Sequence, residues 1–388
     1  MSDPRERYPE LDAVRAAAML LGIFYHAMGS FMESPLGWAA RDRSTSKAVD
    51  ALAWILHSFR MPVFFLISGF FARLLYERLG AAGFLRHRAR RILEPFLVAL
   101  PVVMVSLWAL WTWGFAKQQG RPPPPPSLYP GLVQGVTPRM MLTGPGHLWF
   151  LYYLTMLVVA ATIAVRLGRL GDRTDRVVRA LAGSPLLPFV LALPVGATLA
   201  FMSGLEAETP VSFVPRPGIL AFYGVFFTCG WLLHRQPDLV PRLARHLWIQ
   251  PVVAALLLQV LGRHLDALVR SGRFVSTGER LESAYLLGVF SVSLVFLFVA
   301  VFVRWLHEPR AWVRWVADAS YWSYLLHLPV VILLQILVMD LRWPGLLKYA
   351  IVTGVTLAAC LGSYRAFVRY TFLGTALNGK RGRPAASP

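Results

Sequence analysis

Stretches of about twenty apolar residues, each long enough for a helix to cross ~30 Å of hydrocarbon, recur along this chain. They fall at 12–32, 50–75, 92–115, 147–166, 186–203, 217–233, 247–265, 283–304, 319–339 and 346–369. A backbone in lipid has no water to bond to, so runs of this length close their hydrogen bonds internally and fold as helices. The expected architecture is an all-α polytopic bundle of about ten transmembrane helices. Composition agrees: 56% of the 388 residues are hydrophobic, 15% are charged and the mean hydropathy is +0.53, too little polar surface for a water-soluble globule. The run at 247–265 is the least regular, because Arg263, His264 and Asp266 crowd its end.

A formal charge of +19 would suit nucleic acid, but no basic domain interleaved with aromatic residues exists outside the apolar runs. The basic residues instead occupy short connections. If the N-terminus is cytoplasmic, most of the 39 Lys and Arg fall on the inner side, which puts both termini inside. A single membrane-embedded domain is expected over 1–372, with one long external connection, 117–146. Its RPPPPP run, Arg121–Pro126, reads as an extended spacer, since proline cannot donate backbone hydrogen bonds. Residues 373–388 read as a disordered basic cytoplasmic tail. The first run has no small-residue cleavage pattern before Glu33, so it is expected to stay as a membrane helix. Cys229 and Cys360 both lie in apolar runs and read as packing residues.

Two side chains in the first run, LDAVRAAAMLLGIFYHAM, are out of place in lipid: Arg15 and His26. Eleven residues apart, they share one stripe of a helix, three turns and about 16 Å from each other. An ionisable pair on one membrane helix must face protein or water and marks a functional site. Counted at ~1.5 Å per residue, His26 in an outward-running helix and His57 in an inward-running one reach similar depths. Arg60 follows His57 by nearly one turn on the same face. His147, with Trp149 beside it in GPGHLWFLYYL, sits at the outer rim. His26, His57, Arg60 and His147 are thus expected to converge in the outer half of the bundle, with Arg60, His147 and Trp149 as candidates to bind substrate. An imidazole that exchanges protons near neutrality can activate a hydroxyl for acyl transfer; alternatively, each histidine bonds a neighbouring helix. For His327, in SYWSYLLHLP, an interhelical bond and a site role both stay open.

A second signal is FLRHRARRILEP, Phe84–Pro95, where Arg86, His87, Arg88, Arg90 and Arg91 fall within six residues. Arginine forks suit phosphates, so Arg86, Arg88 and Arg91 are candidates for a phosphate-bearing donor at the cytosolic face; an anchor to lipid headgroups is the other reading. The sequence contains no glycine-rich phosphate cradle, carboxylate–histidine metal set or GxSxG elbow. In SGFF, Ser68 and Gly69 are expected to allow close helix packing.

In this order and spacing, LDAVRAAAMLLGIFYHA, HSFRMPVFFLISGFFA, FLRHRARRILEP, GHLWFLYYL and ASYWSYLLHLP resemble the integral-membrane acyltransferase-3 family, in particular its glucan-modifying branch, from Arg7 to about Tyr370. The resemblance implies transfer of an acyl group from cytosolic acyl-CoA to a hydroxyl of a periplasmic or cell-surface glycan. The family's first-helix Arg and His fall on Arg15 and His26, and its basic R-x-x-R motif on Arg88 and Arg91. His26 would be the general base or a transient acyl carrier, with Arg15 and His57 assisting; Arg60 would read a succinyl carboxylate. The resemblance further implies a multi-pass protein of the bacterial inner membrane. It would hold no permanently bound cofactor and use acyl-CoA as a substrate, with membrane lipids and envelope-glycan biosynthesis proteins as partners. It does not extend to the extracytoplasmic hydrolase-like domain fused to some relatives. Two other classes compete: a proton-coupled transporter or flippase of an envelope precursor, and a non-catalytic scaffold for glycan assembly. Against transport stand the absence of paired discontinuous helices and of a carboxylate deep in a span.

Overall fold

The computed structural model describes residues 8–33, 37–119, 143–168, 172–202, 206–271, 274, 276–306, 308 and 310–378. Among them the chain is helical and lacks strands; a lone parallel bridge joins Met32 to Ser46. The helices are α1 (Pro9–Met28), α2 (Lys47–Arg88), α3 (Glu94–Gln118), α4 (Trp149–Arg166), α5 (Asp172–Leu181), α6 (Leu187–Leu199), α7 (Pro217–His234), α8 (Ile249–Ser271), α9 (Thr277–Trp305), α10 (Ala311–Val338), α11 (Gly345–Ser363) and α12 (Phe372–Asn378).

Each of the ten apolar runs overlaps a helix among the described residues, but not all are spans of full length. Seven helical segments are long and apolar enough to cross a membrane, or eight if the bent pair Pro237–Ala244 and Ile249–Leu265 is one span. The difference between eight and ten has two sources. α2 continues through a five-residue π turn into α3, so two expected crossings form one 72-residue segment, Lys47–Gln118. α6 has only 13 residues, about 20 Å of helix. The bent pair breaks by 63°, next to the irregular run anticipated at 247–265.

α2 spans 42 residues but consists of two helical limbs joined at a kink, a long one before Gly80 and a short basic one after it. Gly80 breaks its regular geometry with φ of 64°, a value glycine adopts without steric cost, and the basic segment follows this break. α2 and α7 pack closely because side chains are missing where backbones meet. A Cβ on Gly69 would overlap the carbonyl oxygen of Phe227, and one on Gly230 that of Leu66. The close packing expected at Gly69 is therefore present. Aromatic rings fill the adjoining core: Phe65 lies 4.6 Å from Tyr223 and 4.9 Å from Phe150, centroid to centroid.

Residues 37–46 fold back across one end of the bundle. Asp42 donates its N–H to Ser30 O at 2.8 Å and Ser46 to Phe31 O at 3.0 Å, while Gln118 Nε2 on α3 donates to Ala39 O at 2.7 Å. Lys348 Nζ holds both Asp42 oxygens, at 2.8 and 2.6 Å, in a pair shielded almost wholly from solvent. At the other end α12 is ordered through Asn378, so defined structure passes residue 373, where the tail was expected to begin. Residues 379–388 and the proline run of the long connection lie outside the described residues.

Candidate active site

One cavity of about 510 Å³ lies among α1, α2, α3, α4 and α10. On α1 its wall is Arg15, Met19, Gly22 and His26, spaced four, three and four residues apart and so stacked on one helix face. The stripe read from sequence therefore faces an internal passage. His57, Arg60, Phe64, Ser68 and Phe71 continue the wall along α2, again at helical spacing.

Arg15, His87, Arg88 and Arg91 make one end of the cavity basic. Arg15 Nη2 lies 3.1 Å from Asp12 Oδ1. Arg88 lies over Phe84 at 5.6 Å and makes no ion pair among the described residues. Arg91 donates through Nη1 to Thr375 O and Ala376 O at 2.7 and 2.8 Å, tying α12 to this end. A guanidinium has five N–H groups, so the Nε and Nη2 edge of Arg91 is left for another acceptor. Arg86, grouped with these arginines from sequence, is exposed and off the cavity wall. Two residues turn a helix by about 200°, which separates it from Arg88.

At the other end His26, His57, Arg60 and His147 line the same cavity, so the four residues expected to converge do so. The imidazole of His26 lies 5.2 Å from that of His327, which lies 5.3 Å from that of His147, between centroids. Tyr25 links His26 to His57, its ring 5.1 Å from the first and 5.7 Å from the second. Arg60 is nearly buried, sits 4.7 Å from the Tyr25 ring and has no carboxylate partner among the described residues. Trp149 borders the cavity but is 5% exposed, with its ring packed 5.1 Å from Tyr223. It is mainly wall.

Backbone carbonyls fix three of the imidazoles. A carbonyl can only accept, so the ring nitrogen facing it carries the proton. His57 Nε2 donates to Ala207 O at 2.7 Å, His147 Nε2 to Tyr324 O at 3.1 Å and His327 Nδ1 to Tyr324 O at 2.9 Å. Their second nitrogens, His57 Nδ1, His147 Nδ1 and His327 Nε2, are buried without protein partners, as is Nδ1 of His26. The cluster thus offers unused lone pairs beside a guanidinium. Such an arrangement can accept a proton from a hydroxyl while the cation stabilises developing negative charge.

Besides His327, several wall residues were passed over in sequence. Asp318, Tyr321, Tyr324 and His327 recur every three residues on α10 and line the cavity; this polar stripe in an apolar run was a usable signal. Of the two readings left open for His327, an interhelical bond and a site role, its Nδ1 faces carbonyls of its own helix, Ser323 O and Tyr324 O, and the ring lines the cavity. Trp38 and Trp111 close the histidine end. Of the two grounds offered against transport, the absence of a deep carboxylate needs correction. Asp318 is a buried carboxylate on the cavity wall, while the described residues show one broken span, Pro237–Ala244 with Ile249–Leu265, rather than a matched pair.

Comparison with known proteins decides the class. Residues 8–365 match the acyltransferase-3 family, described as an acyltransferase domain. The chain belongs to that family. It is an acyltransferase and a multi-pass membrane protein. It is similar to proteins named glucans biosynthesis protein C from Salmonella schwarzengrund, Salmonella heidelberg and Salmonella typhi. Each is 28% identical over 346 residues, covering 84% of this chain and 82% of the relative. No solved structure matches the chain. Within an acyltransferase, a passage joining an arginine cluster to a histidine cluster has an immediate chemical use.

Proposed function

We propose that this acyltransferase moves an acyl group, succinyl or acetyl, from cytosolic acyl-CoA to a hydroxyl of a periplasmic or cell-surface glycan, with His26 as general base. The observation that carries the reading is the single cavity bordered by Arg15, Arg88 and Arg91 at one end and His26, His57 and Arg60 at the other. A phosphate-bearing donor suits the first end. Its acyl arm would follow the α1 stripe past Met19 and Gly22. A glycan is supported as acceptor by the name of the similar Salmonella proteins. Inner-membrane placement, ten crossings and cytoplasmic termini belong to this reading, with the limbs of Lys47–Gln118 counted separately.

His26 takes the proton of the sugar hydroxyl as its oxygen attacks the thioester carbonyl. The C–S bond then breaks, and the coenzyme A thiolate leaves and is reprotonated. Arg60 has two roles in this scheme: it stabilises charge on the carbonyl oxygen or, with a succinyl donor, pairs with the distal carboxylate. The test compares glycan acyl content by mass spectrometry in cells with wild type, His26→Ala and His26→Gln, after matching membrane levels. Both variants are expected to leave the glycan unmodified. Full acylation by a folded His26→Ala protein would remove the base from this position.

A further inference from the structure

Trp38 lies outside the long helices, yet its placement is over-determined. Its Nε1–H donates to Gln335 Oε1 at 2.8 Å. The Nε2 of the same amide donates to His26 O and Ala27 O, each at 3.0 Å. Gln335 is wholly buried on α10. It therefore bonds two carbonyls in the last turn of α1, Ala27 O and the His26 O that also accepts the Gly29 N–H, and fixes the indole with the same group. Gly29 supplies the floor, since a Cβ there would lie 2.7 Å from Trp38 Nε1. Trp111 meets the indole edge-on at 5.4 Å and 70°.

The outcome is an indole 6.0 Å from the His26 ring and within 8° of parallel to it, partly exposed on the cavity wall. Its N–H is already used, so Trp38 offers a ligand only its carbon framework. The face of an aromatic ring is negative and its complement is a positive edge. Such a face disfavours the phosphates and carboxylates of a donor, which the arginines at Arg60 and Arg88 suit. It favours the polarised C–H face of a pyranose ring.

We propose that Trp38 is the stacking platform for the acceptor sugar, placing a hydroxyl at His26, and that Gln335 is the positioning residue that locks platform and base in one register. The proposal deepens the glycan reading above and rests on it. Because Gln335 bonds both the indole and the carbonyl of His26, displacement of either would disturb the other.

The experiment uses full-length protein in detergent, with a linear glucan oligosaccharide and acyl-CoA as separate binding probes and acyl transfer as a third readout. Trp38→Ala is expected to weaken oligosaccharide binding and raise the acceptor KM at least tenfold while acyl-CoA binding stays at wild-type strength. Trp38→Phe keeps a smaller face and should fall between. Gln335→Leu should lower kcat as well as raise the acceptor KM, and Gln335→Glu, which keeps the acceptor for the indole, should recover part of the acceptor KM. Retained acyl-CoA binding also certifies the fold. Wild-type oligosaccharide affinity in Trp38→Ala and Trp38→Phe overturns the platform. Equal weakening of donor and acceptor in Trp38→Phe does so as well. If oligosaccharide binding depends on Trp38 but wild type transfers no acyl group, the platform stands and the reaction assigned above falls.

Discussion

Gly22 is the narrowest test of the passage. It lies on the cavity stripe four residues before His26 and seven after Arg15, about 6 Å and 10 Å along the helix axis. A Cβ there would lie 3.4 Å from Arg60 Nη1, so the first added carbon reaches the guanidinium without overlap. Gly22→Ala should therefore fold well, gaining about 0.5–1 kcal/mol of helix stability, with transfer within about fivefold of wild type. Gly22→Phe instead puts a ring across the passage. Acyl carbon and hydroxyl must come within about 3–3.5 Å to react, and a donor halted at Gly22 stops about one helical turn short of His26. Transfer should fall at least about 100-fold, or roughly 2.7 kcal/mol in barrier, while acyl-CoA still binds at the arginine end. The assay is acyl transfer to glucan in proteoliposomes loaded with protein of verified thermal stability. Wild-type turnover by Gly22→Phe would refute the route along α1. A parallel loss of donor binding would place the donor nearer His26 than the arginine end.

Three further perturbations probe separate parts. The double variant Arg88→Ala with Arg91→Ala should raise the acyl-CoA KM at least about tenfold, equivalent to one lost charge-assisted bond, with glucan affinity unchanged; titration of acyl-CoA on purified protein checks this. Arg60→Met should cost transfer from succinyl-CoA at least about tenfold more than transfer from acetyl-CoA if the guanidinium holds the distal carboxylate, and equal losses would leave it only charge stabilisation. Lys348→Ala strands the buried Asp42 carboxylate and should destabilise the protein by about 3–5 kcal/mol, read as a lowered Tm in detergent, with Asp42→Asn added to the same chain restoring part of it.

The helices were legible in outline because lipid removes alternatives: an apolar run of adequate length has one way to satisfy its backbone. Their ends were less so. The run at 283–304 extends back to Thr277 because Ser276 Oγ accepts the Glu279 N–H at 3.1 Å, a cap made by polar residues that hydropathy passes over. The run at 319–339 begins at Ala311, where AWVRWVADA alternates charge with bulk and scores low although it is helical. The expected ten spans meet seven or eight candidate spans partly because Lys47–Gln118, kinked at Gly80, runs two of the expected crossings into one segment.

The site divides along the same physical line. Arg15 with His26 and His57 with Arg60 recur at helical spacing, so one strand of text suffices to place each pair on a common face, whereas Asp318, Tyr321, Tyr324 and His327, each three residues apart, drift by about 60° per step around their helix. Trp38 and Gln335 are 297 positions apart, and nothing in either neighbourhood specifies the other. Their meeting depends on residues 37–46 being pinned to α11 by Lys348 and to α3 by Gln118, contacts fixed by packing among helices far apart in the chain. Continuous helices therefore carry the part of the site that sequence can announce, the charges along the passage. The part that selects an acceptor is built where a connecting segment crosses the bundle, and there the determinant is tertiary: a single buried amide must reach an indole and a helix end at once. A substitution that leaves every intramembrane charge in place could still abolish acceptor use by loosening that amide, which makes Gln335 a more searching probe of this fold than another charge deletion on α1.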